Sequence, residues 1–362
     1  MPETNPIPMS KRLTEMSKGS GCGCKIAPAV LSEILSGLSH LPRQTDPNLL
    51  VGFENKDDAA VYDLGNGQLL ISTVDFFTPV VDDPYTFGKI AAANALSDIY
   101  AMGGKPLVAL SVLGFPVDEL SPDIAKQIIK GGMDTCKEAG ISIAGGHSIN
   151  SPEPFFGLSV NGLVSKEKLK TNAGAKEGDL LYLTKPLGSG IYNAAIKKGI
   201  LFASANESES DVERLNKHII NMSQLNSIGS TLANLSYITS ITDVTGFGFL
   251  GHLIEMCEAS NLSAEINSVL IPIYPEIDDL LAQNCIPDNT YRNWNAVEKQ
   301  VTGAIDMRNF QLLNDPQTNG GLLVAVSAEH QMDFENYCIT NNLNINTFGY
   351  FVTKQNFYVE LK

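Results

Sequence analysis

Apolar residues recur along this chain in two spacings, one typical of strands and one typical of amphipathic helices. The first 25 residues are polar and rich in Gly, Ser and Pro, and an apolar pattern of helical spacing begins only at Val30. From about residue 59, short apolar runs alternate with longer amphipathic runs. Strands that alternate with helices predict layers of sheet and helix, in an α/β or α+β arrangement.

Turn and capping residues set the limits of the elements in the first half. The helix over 86–102 ends at Gly103, and a second helix begins with Ser121 as N-cap and Pro122 in its first turn and ends at Gly140. The predicted strands are 69–74, 107–113, 141–144 and 156–164.

A lysine-rich stretch separates two halves of the chain. Residues 165–178 contain four lysines and few large apolar side chains, and 362 residues exceed one typical domain of about 100 to 150. We predict a flexible glycine-rich segment with a first helix over 1–50, an α/β domain over 51–168 and a C-terminal α/β domain over 169–362. In the C-terminal domain we expect strands over 180–184 and 238–242, helices over 211–235 and 247–257, and strands plus one helix over 321–361.

Composition and charge exclude several classes of protein. A hydrophobic fraction of 43% with 18% charged residues is typical of a globular chain. No apolar run reaches the roughly 18 residues of a membrane span, and the N-terminus lacks the pattern of a secretory signal, so we expect a cytoplasmic protein without a membrane partner. The net charge of −15 opposes binding to nucleic acid.

The segment Ser20-Gly21-Cys22-Gly23-Cys24-Lys25 places two thiols and an ammonium within six positions. A nearby lysine lowers the pKa of a thiol, and the thiolate is the reactive form of cysteine. Half of a zinc site and an inert tail are the alternatives. A zinc site is less favoured because the four other cysteines and the five histidines supply no second ligand pair. We expect Cys136 and Cys257, at apolar helical spacing, to lie in the core, Cys285 and Cys338 to pack, and His252 to serve packing.

Five aspartates are candidates for one acidic site: Asp57, Asp58, Asp75, Asp98 and Asp243. Asp75 and Asp243 directly follow predicted strands, where side chains often project into a site. Converging carboxylates repel one another unless cations are bound, and their hard oxygens suit Mg²⁺ between protein and phosphate. Each aspartate also has a simpler interpretation, as part of a solvated turn, an exposed helix position or a turn former.

Two glycine-containing loops are weaker candidates. Gly145-Gly146-His147-Ser148 follows a predicted strand, and its backbone N–H groups suit phosphate oxygens, although His147 fits a packed loop position equally well. The loop 315–321, Asp-Pro-Gln-Thr-Asn-Gly-Gly, is as typical of a structural turn as of a ligand contact.

Six segments taken together resemble selenophosphate synthetase, also called selenide, water dikinase. The resemblance covers residue 12 to the C-terminus, and Cys-Gly-Cys-Lys is its most specific part. The segments are 21–25 (GCGCK), 57–62 (DDAAVY), 94–98 (NALSD), 144–148 (AGGHS), 242–248 (TDVTGFG) and 315–321 (DPQTNGG).

This resemblance implies a two-domain fold of the aminoimidazole ribonucleotide synthetase type, usually a homodimer. It implies that ATP, selenide and water give selenophosphate, AMP and phosphate, with Mg²⁺ as cofactor and K⁺ as a further candidate. The 51–168 domain would bind ATP and Mg²⁺.

The resemblance also assigns roles to residues of this sequence. Cys22 matches the catalytic cysteine or selenocysteine, and Lys25 the essential lysine. Asp58, Asp98 and Asp243 match the magnesium ligands. Positions that contact the nucleotide are matched by Lys25, Asn55, Lys56, Asp57, Asp75, Asp98, Gly146, His147 and Ser148. Asn319 stands where the family usually has Ser, which leaves the contribution of its loop open.

Two other functions compete with this one. The first is an ATP-dependent enzyme of the same fold acting on another small substrate, such as aminoimidazole ribonucleotide synthetase or thiamine-phosphate kinase; neither requires Cys-Gly-Cys-Lys. The second is a thiol-based redox or metal sensor that binds nucleotide without turnover.

Overall fold

The computed structural model describes residues 12–17, 19, 21, 25–26, 30, 33–34, 46–52, 56–201, 209–343 and 345–362. Cys22, Cys24, Asn55 and most of the predicted first helix lie outside them.

The first domain is a six-stranded sheet with two long helices against one face. Its strands are β1 (Leu49–Val51), β2 (Ala60–Asp63), β3 (Gln68–Phe77), β4 (Lys105–Phe115), β5 (Ile143–Asn150) and β6 (Phe155–Ser165), and its helices are α1 (Pro84–Ala101) and α2 (Pro122–Glu138). The strand order is β1-β2-β3-β6-β4-β5, and the strands are antiparallel except for β4 and β5. The strand β5 therefore forms the edge furthest from β1 and β2.

Helix α1 lies between this sheet and the second domain. Asp83 caps its N-terminus by accepting a hydrogen bond from the Thr86 amide at 2.7 Å, with Pro84 in the first turn. A Cβ atom at Gly88 would lie 1.9 Å from the Ile128 carbonyl oxygen, so glycine permits the close contact with α2. On another side the Asn226 side chain donates to Ser97 Oγ at 2.8 Å. The helix is therefore buried on nearly every side.

The second domain is a seven-stranded mixed sheet with helices around it. Its strands are β7 (Leu180–Leu183), β8 (Ile238–Asp243), β9 (Leu262–Ile266), β10 (Val301–Gly303), β11 (Leu322–Val326), β12 (Gly349–Thr353) and β13 (Val359–Leu361), in the order β10-β13-β9-β12-β7-β11-β8. Its helices are α3 (Ser189–Lys197), α4 (Glu209–Ser223), α5 (Ile228–Leu232), α6 (Gly248–Ser260), α7 (Ile277–Ala282), α8 (Asp288–Val297), α9 (Met307–Leu313) and α10 (Gln331–Thr340). Short 3₁₀ turns occur at Leu13–Glu15, Lys166–Lys168, Asn172–Gly174, Ser268–Leu270, Glu298–Gln300 and Ala328–His330.

The predicted mixed arrangement of sheets and helices is confirmed, and two local predictions were wrong. Asp75 does not follow a strand, because β3 continues to Phe77 and keeps Asp75 within the ladder. The stretch Gly145–Ser148 is not a loop: it belongs to β5, where Gly146 pairs with Ser111 of β4. Both differences come from pairing with distant strands.

One face of the six-stranded sheet is apolar and exposed. Along β3, Leu69 and Ile71 point into the core, whereas Val74 and Phe76 point outward with exposed fractions of 56% and 45%. Leu110 on β4 is 44% exposed and lies in the same cross-strand row as Val74, since both pair with Ser159 of β6. Within the described part of the chain, every helix lacks the length or the apolar character that a bilayer crossing requires.

Candidate active site

Three aspartates from both domains lie within electrostatic reach of one another. Asp58 precedes β2, Asp98 lies near the end of α1, and Asp243 is the last residue of β8. Asp58 Oδ1 accepts a hydrogen bond from the Thr242 hydroxyl at 2.8 Å, and this contact joins the first domain to β8. Asp98 Oδ2 accepts from the Thr73 hydroxyl on β3 at 2.5 Å. We call Asp58, Asp98 and Asp243 the acidic cluster.

Burial and mutual repulsion raise the pKa values of the carboxyls in the acidic cluster. Burial raises the pKa of Asp58 well above its usual range, and the charges of Asp243 and Asp98 raise it further. Burial likewise raises the pKa of Asp98, with added repulsion from Asp243 and Asp75. The pKa of Asp243 is raised by burial, although a hydrogen bond from Ser97 opposes the shift. The free protein therefore carries several mutually repelling carboxyls in one partly buried place.

The acidic cluster has the chemistry of a divalent cation site. Asp58 Oδ2 and Asp243 Oδ2 are buried oxygens for which no hydrogen-bond partner is found among the described residues. Such atoms cost free energy unless a positive group faces them. In the described part of the chain, no three His, Cys, Asp or Glu side chains already form a ligand set. The unpartnered oxygens of Asp58 and Asp243 suit Mg²⁺, which is commonly bound through one or two carboxylates, with water and phosphate oxygens as its other ligands.

Lys25 reaches this region from the N-terminal segment. Its ammonium lies 3.6 Å from Asp75 Oδ2, and its positive charge partly opposes the rise in the pKa values of Asp98 and Asp243. Asp75 Oδ2 also accepts from the Asn94 side chain at 2.5 Å, and Asn94 Oδ1 accepts from the Asn319 amide at 2.8 Å. A continuous set of polar contacts thus links Lys25 to the second domain.

Other predicted site residues lie at the edge of this region. The Asp57 carboxylate accepts from the Asn172 amide at 2.8 Å, and burial raises its pKa. The Lys56 ammonium pairs with Glu258 at 3.0 Å, and Lys56 has a left-handed backbone with φ of 55°. Cys22 and Asn55, as noted, lie outside the described residues.

The structure does not bring Gly146, His147 and Ser148 to the acidic cluster of the same chain. They lie on the edge strand β5, and β4 and β6 separate it from β3. At about 4.8 Å between neighbouring strands, this separation is about 14 Å. Across the sheet, His147 is paired with Val112, Val112 with Gly157, and Gly157 with Phe76. Paired residues project from the same face of a sheet, so His147 lies on the exposed apolar face together with Phe76.

The loop 315–321 has a structural role that the sequence left open. Asp315 Oδ2 accepts from the Gly190 amide at 2.9 Å, and Gln317 Oε1 accepts from the Ser189 amide at 3.1 Å, so the loop caps the N-terminus of α3. Asn319 adopts φ of 47°, and its side-chain amide donates to the Met222 carbonyl at 2.6 Å. Asparagine suits this left-handed position better than most residues do.

The packing predictions for His252 and for the four described cysteines are confirmed. His252 is buried and stacks on Phe247 with ring centroids 5.7 Å apart. The four described cysteines are buried, and burial raises the pKa of Cys136 to about 12. A buried thiol of raised pKa is unreactive.

Lys185 is a buried cation that the sequence analysis missed. Its ammonium donates to the carbonyl oxygens of Gln224 at 2.8 Å and Asn319 at 3.0 Å. Burial lowers its pKa to about 7, although attraction to Asp243 opposes the shift. Its position directly after β7, in Thr184-Lys185-Pro186, is the only local hint.

We expect Lys185→Met to remove a pH dependence of stability. The folded pKa of about 7 lies below the unfolded value of about 10.4, so the unfolded chain binds more protons between these values. The wild-type free energy of unfolding should therefore rise with pH, by at most about 1.4 kcal/mol per unit, and the gain should be lost as pH falls through 7. Urea unfolding over this pH range measures the slope. The control is Lys198→Met, which removes an exposed ammonium and should keep the wild-type slope. Equal slopes in wild type and Lys185→Met would contradict the prediction.

Comparison with known proteins gives the family and the fold. Residues 56–164 match the AIR synthase related protein N-terminal domain, and 176–362 match the AIR synthase related protein C-terminal domain. The chain is 50% identical over 340 residues to a selenide, water dikinase of Aeromonas salmonicida (94% of this chain, 95% of that protein). It is 48% identical over 340 residues to a selenide, water dikinase of Yersinia pseudotuberculosis (93% and 94%).

Solved structures share this fold at low sequence identity. Thiamine-monophosphate kinase from Stenotrophomonas maltophilia has a TM-score of 0.63 at 18% identity, covering 93% of this chain and 96% of its own. AaThiL complexed with AMPPCP and TMP has a TM-score of 0.63 at 16% identity, covering 91% of each chain. The predicted two-domain fold type is confirmed.

Proposed function

This chain belongs to the selenide, water dikinase family, and we propose that its acidic cluster is the place where ATP, selenide and water become selenophosphate, AMP and phosphate. It is a kinase-type enzyme of selenophosphate synthesis with ATP as substrate. The observation that carries the proposed site is the convergence of carboxyls from two domains beside the Lys25 ammonium.

The residues around the cluster have separate roles in this proposal. Lys25 supplies a positive charge for the phosphoryl group in transfer, and its pairing with Asp75 keeps the ammonium at the cluster. Cys22, three residues before Lys25, guides selenide to the γ-phosphorus. Lys56 and Asp57 contact the nucleotide at the edge of the cluster, and Asn55, which lies outside the described residues, is a further nucleotide contact.

Asp58, Asp98 and Asp243 would hold Mg²⁺ in this proposal, and K⁺ is a further cofactor. An ion held by these carboxylates would help to neutralise the charge that develops on the phosphoryl group during transfer. The buried, unpartnered oxygens of Asp58 and Asp243 support this assignment. A cytoplasmic location remains a prediction.

The function is tested by identifying the nucleotide product with and without selenide. We expect ATP to give AMP, phosphate and selenophosphate only when selenide is present. Cys22→Ser and Lys25→Ala should both lose this activity, because one removes the thiol and the other the ammonium. Formation of ADP, or undiminished turnover in both variants, would contradict the proposal.

The alternative enzymes of the same fold are not favoured. Thiamine-monophosphate kinase is 18% identical to this chain, whereas the dikinases of Aeromonas salmonicida and Yersinia pseudotuberculosis are 50% and 48% identical over almost the whole length. A sensor without turnover would release no AMP in the assay above.

We propose a homodimer in which two copies of the six-stranded sheet meet through their exposed faces. The outward face that carries Val74, Phe76 and Leu110 is apolar and exposed, and it extends from β3 across β6 to β4. Exposed apolar surface of this kind is typical of interaction sites. In a two-fold dimer the same patch occurs on both sides of the interface.

Val74→Asp is expected to convert this dimer to monomers. The substitution would place one carboxylate from each copy in the apolar interface, and an unpaired buried charge costs about 3 kcal/mol or more, so association should weaken at least about 100-fold. Sedimentation velocity measures the mass. Val269→Asp is the control, since Val269 is 84% exposed in the second domain. A monomeric wild type, or a dimeric Val74→Asp, would exclude this interface.

A further inference from the structure

Residues before the thiol segment form a strap between the two domains; we define the strap as residues 12–17, 19 and 21. Leu13 and Thr14 are fully buried, although the surrounding sequence is polar. The strap is held by contacts with both domains, and the hydrogen bonds described for it in the following paragraphs are to residues outside the acidic cluster.

On the second domain, the strap and the end of α3 bind each other reciprocally. The Arg12 guanidinium donates to the carbonyl oxygens of Ile196 at 3.1 Å and Lys197 at 2.9 Å. A cation is favoured there because the last carbonyls of a helix carry partial negative charge. In return the Lys197 ammonium donates to the carbonyl oxygens of Ser17 at 2.9 Å and Gly19 at 3.0 Å.

On the first domain, Asp82 is the main anchor. Its Oδ1 accepts from the Thr14 amide at 3.0 Å and from the Thr14 hydroxyl at 2.6 Å. Its other oxygen, Oδ2, lies 3.7 Å from Arg12 Nη1. Asp82 therefore connects the strap to the segment before α1, while the neighbouring Asp83 caps that helix.

Gly21 ends the strap at the junction of the domains. Its amide donates to the Thr78 carbonyl at 3.1 Å, and its φ of 55° is left-handed. A Cβ atom there would lie 2.4 Å from Val80 of the first domain and 2.5 Å from the Thr318 hydroxyl of the second. Only glycine fits this contact, so the chain is held at this point on both sides.

The position of Gly21 limits where Lys25 can reach. Lys25 is four residues further along the chain than Gly21, so at most about 14 Å of chain connects them. Lys25 lies 3.6 Å from Asp75 at the far end of this short connection. A displacement of the strap would therefore be passed on to Lys25.

We propose that Lys197 and Asp82 are positioning residues that hold the strap so that Lys25 lies at the acidic cluster. This inference rests on the proposed function. Neither residue belongs to the proposed ATP or metal site. Both act on Lys25 through Gly21. Productive phosphoryl transfer then depends on contact of the strap with both domains.

The test compares Lys197→Met with Lys198→Met. Both substitutions remove an ammonium at the C-terminal end of α3 and keep an unbranched side chain. The Lys198 ammonium, however, donates to the Asn284 carbonyl rather than to the strap. We expect Lys197→Met to lower kcat for selenophosphate about 10²-fold, because small misplacements of a catalytic group cost that much, with KM for ATP unchanged within about threefold. Lys198→Met should keep the wild-type kcat, and Lys197→Arg should restore most of it.

The variant Asp82→Ala and a measurement of hydrogen exchange test the same inference independently of Lys197→Met. Asp82→Ala, on the first domain, should lower kcat to a similar degree. Hydrogen exchange of the peptide that covers the strap should be about tenfold faster in Lys197→Met and Asp82→Ala, and unchanged in Lys198→Met.

Equal kcat in Lys197→Met and Lys198→Met would overturn the inference, as would a loss seen only in KM for ATP. If the wild type made no selenophosphate, the proposed function would fail. The exchange comparison would then still decide whether Lys197 holds the strap.

Discussion

Replacing Asp58 by asparagine is expected to slow selenophosphate formation by about 10²- to 10³-fold and to stabilise the metal-free protein. The rate falls because the site loses a charge that would hold Mg²⁺. Stability should rise because asparagine carries no charge. The pKa of Asp58 is raised because burial and repulsion from Asp243 and Asp98 disfavour its charged form. A gain of about 1 kcal/mol would raise Tm by about 2–4 °C in a cooperative unit of about 150–250 residues.

Activity at increasing Mg²⁺ and calorimetric melting without metal measure the two effects. Asp63→Asn is the matched control, because Asp63 ends β2 and lies 3.9 Å from Lys166, outside the acidic cluster. It should change neither quantity. A normal rate in Asp58→Asn would remove Asp58 from the proposed metal site, and a lower Tm would show that the carboxylate is needed for folding instead.

Mixing Asp58→Asn subunits with His147→Ala subunits is expected to restore activity. Within one chain His147 lies on the far edge of the sheet, so it contacts the nucleotide only if a second copy brings it across the proposed interface. The homodimer of either variant should have low activity. In His147→Ala, the loss of a hydrogen bond to a charged phosphate costs about 1.5–3 kcal/mol, which lowers the rate about 10- to 100-fold. A mixed dimer pairs the intact cluster of one subunit with the intact His147 of the other.

Random mixing makes half of the dimers mixed, each with one intact site of two, so about a quarter of the wild-type rate should return. Co-expression with two different affinity tags isolates the mixed species. Mixing Asp58→Asn with Asp243→Asn is the control, since these residues belong to the same cluster and every mixed site stays defective. Activity no higher than that of the His147→Ala homodimer would exclude nucleotide contact across the interface.

Local signals in the sequence predicted the helices of the first domain well. The predicted helix over 86–102 is α1 (Pro84–Ala101), and the one opened by Ser121 is α2 (Pro122–Glu138). Capping residues and terminal glycines act within one turn of the chain, so they can be recognised without the rest of the fold. For the same reason the apolar spacing of Cys136 and Cys257 predicted their burial.

Predictions that depended on contacts between distant segments were incomplete. The stretch 258–320 received no predicted elements apart from its last loop residues, yet it holds β9, β10 and three helices. These elements are short, from three to ten residues each, so their periodicity is weak. Their conformation depends on the sheet and helices against which they pack.

The sequence by itself determined the kind of chemistry, because residue types and their order are enough to recognise a thiol and lysine segment with spaced aspartates. It also determined the limits of the two long helices of the first domain, which depend on near neighbours. Only the tertiary structure decided that Asp58, Asp98 and Asp243 share one environment, that Asp315 and Gln317 cap a helix, and that His147 lies on an outer face. These facts depend on strand pairing and domain contact between residues that lie tens to more than a hundred positions apart, and such contacts leave no local pattern in the chain.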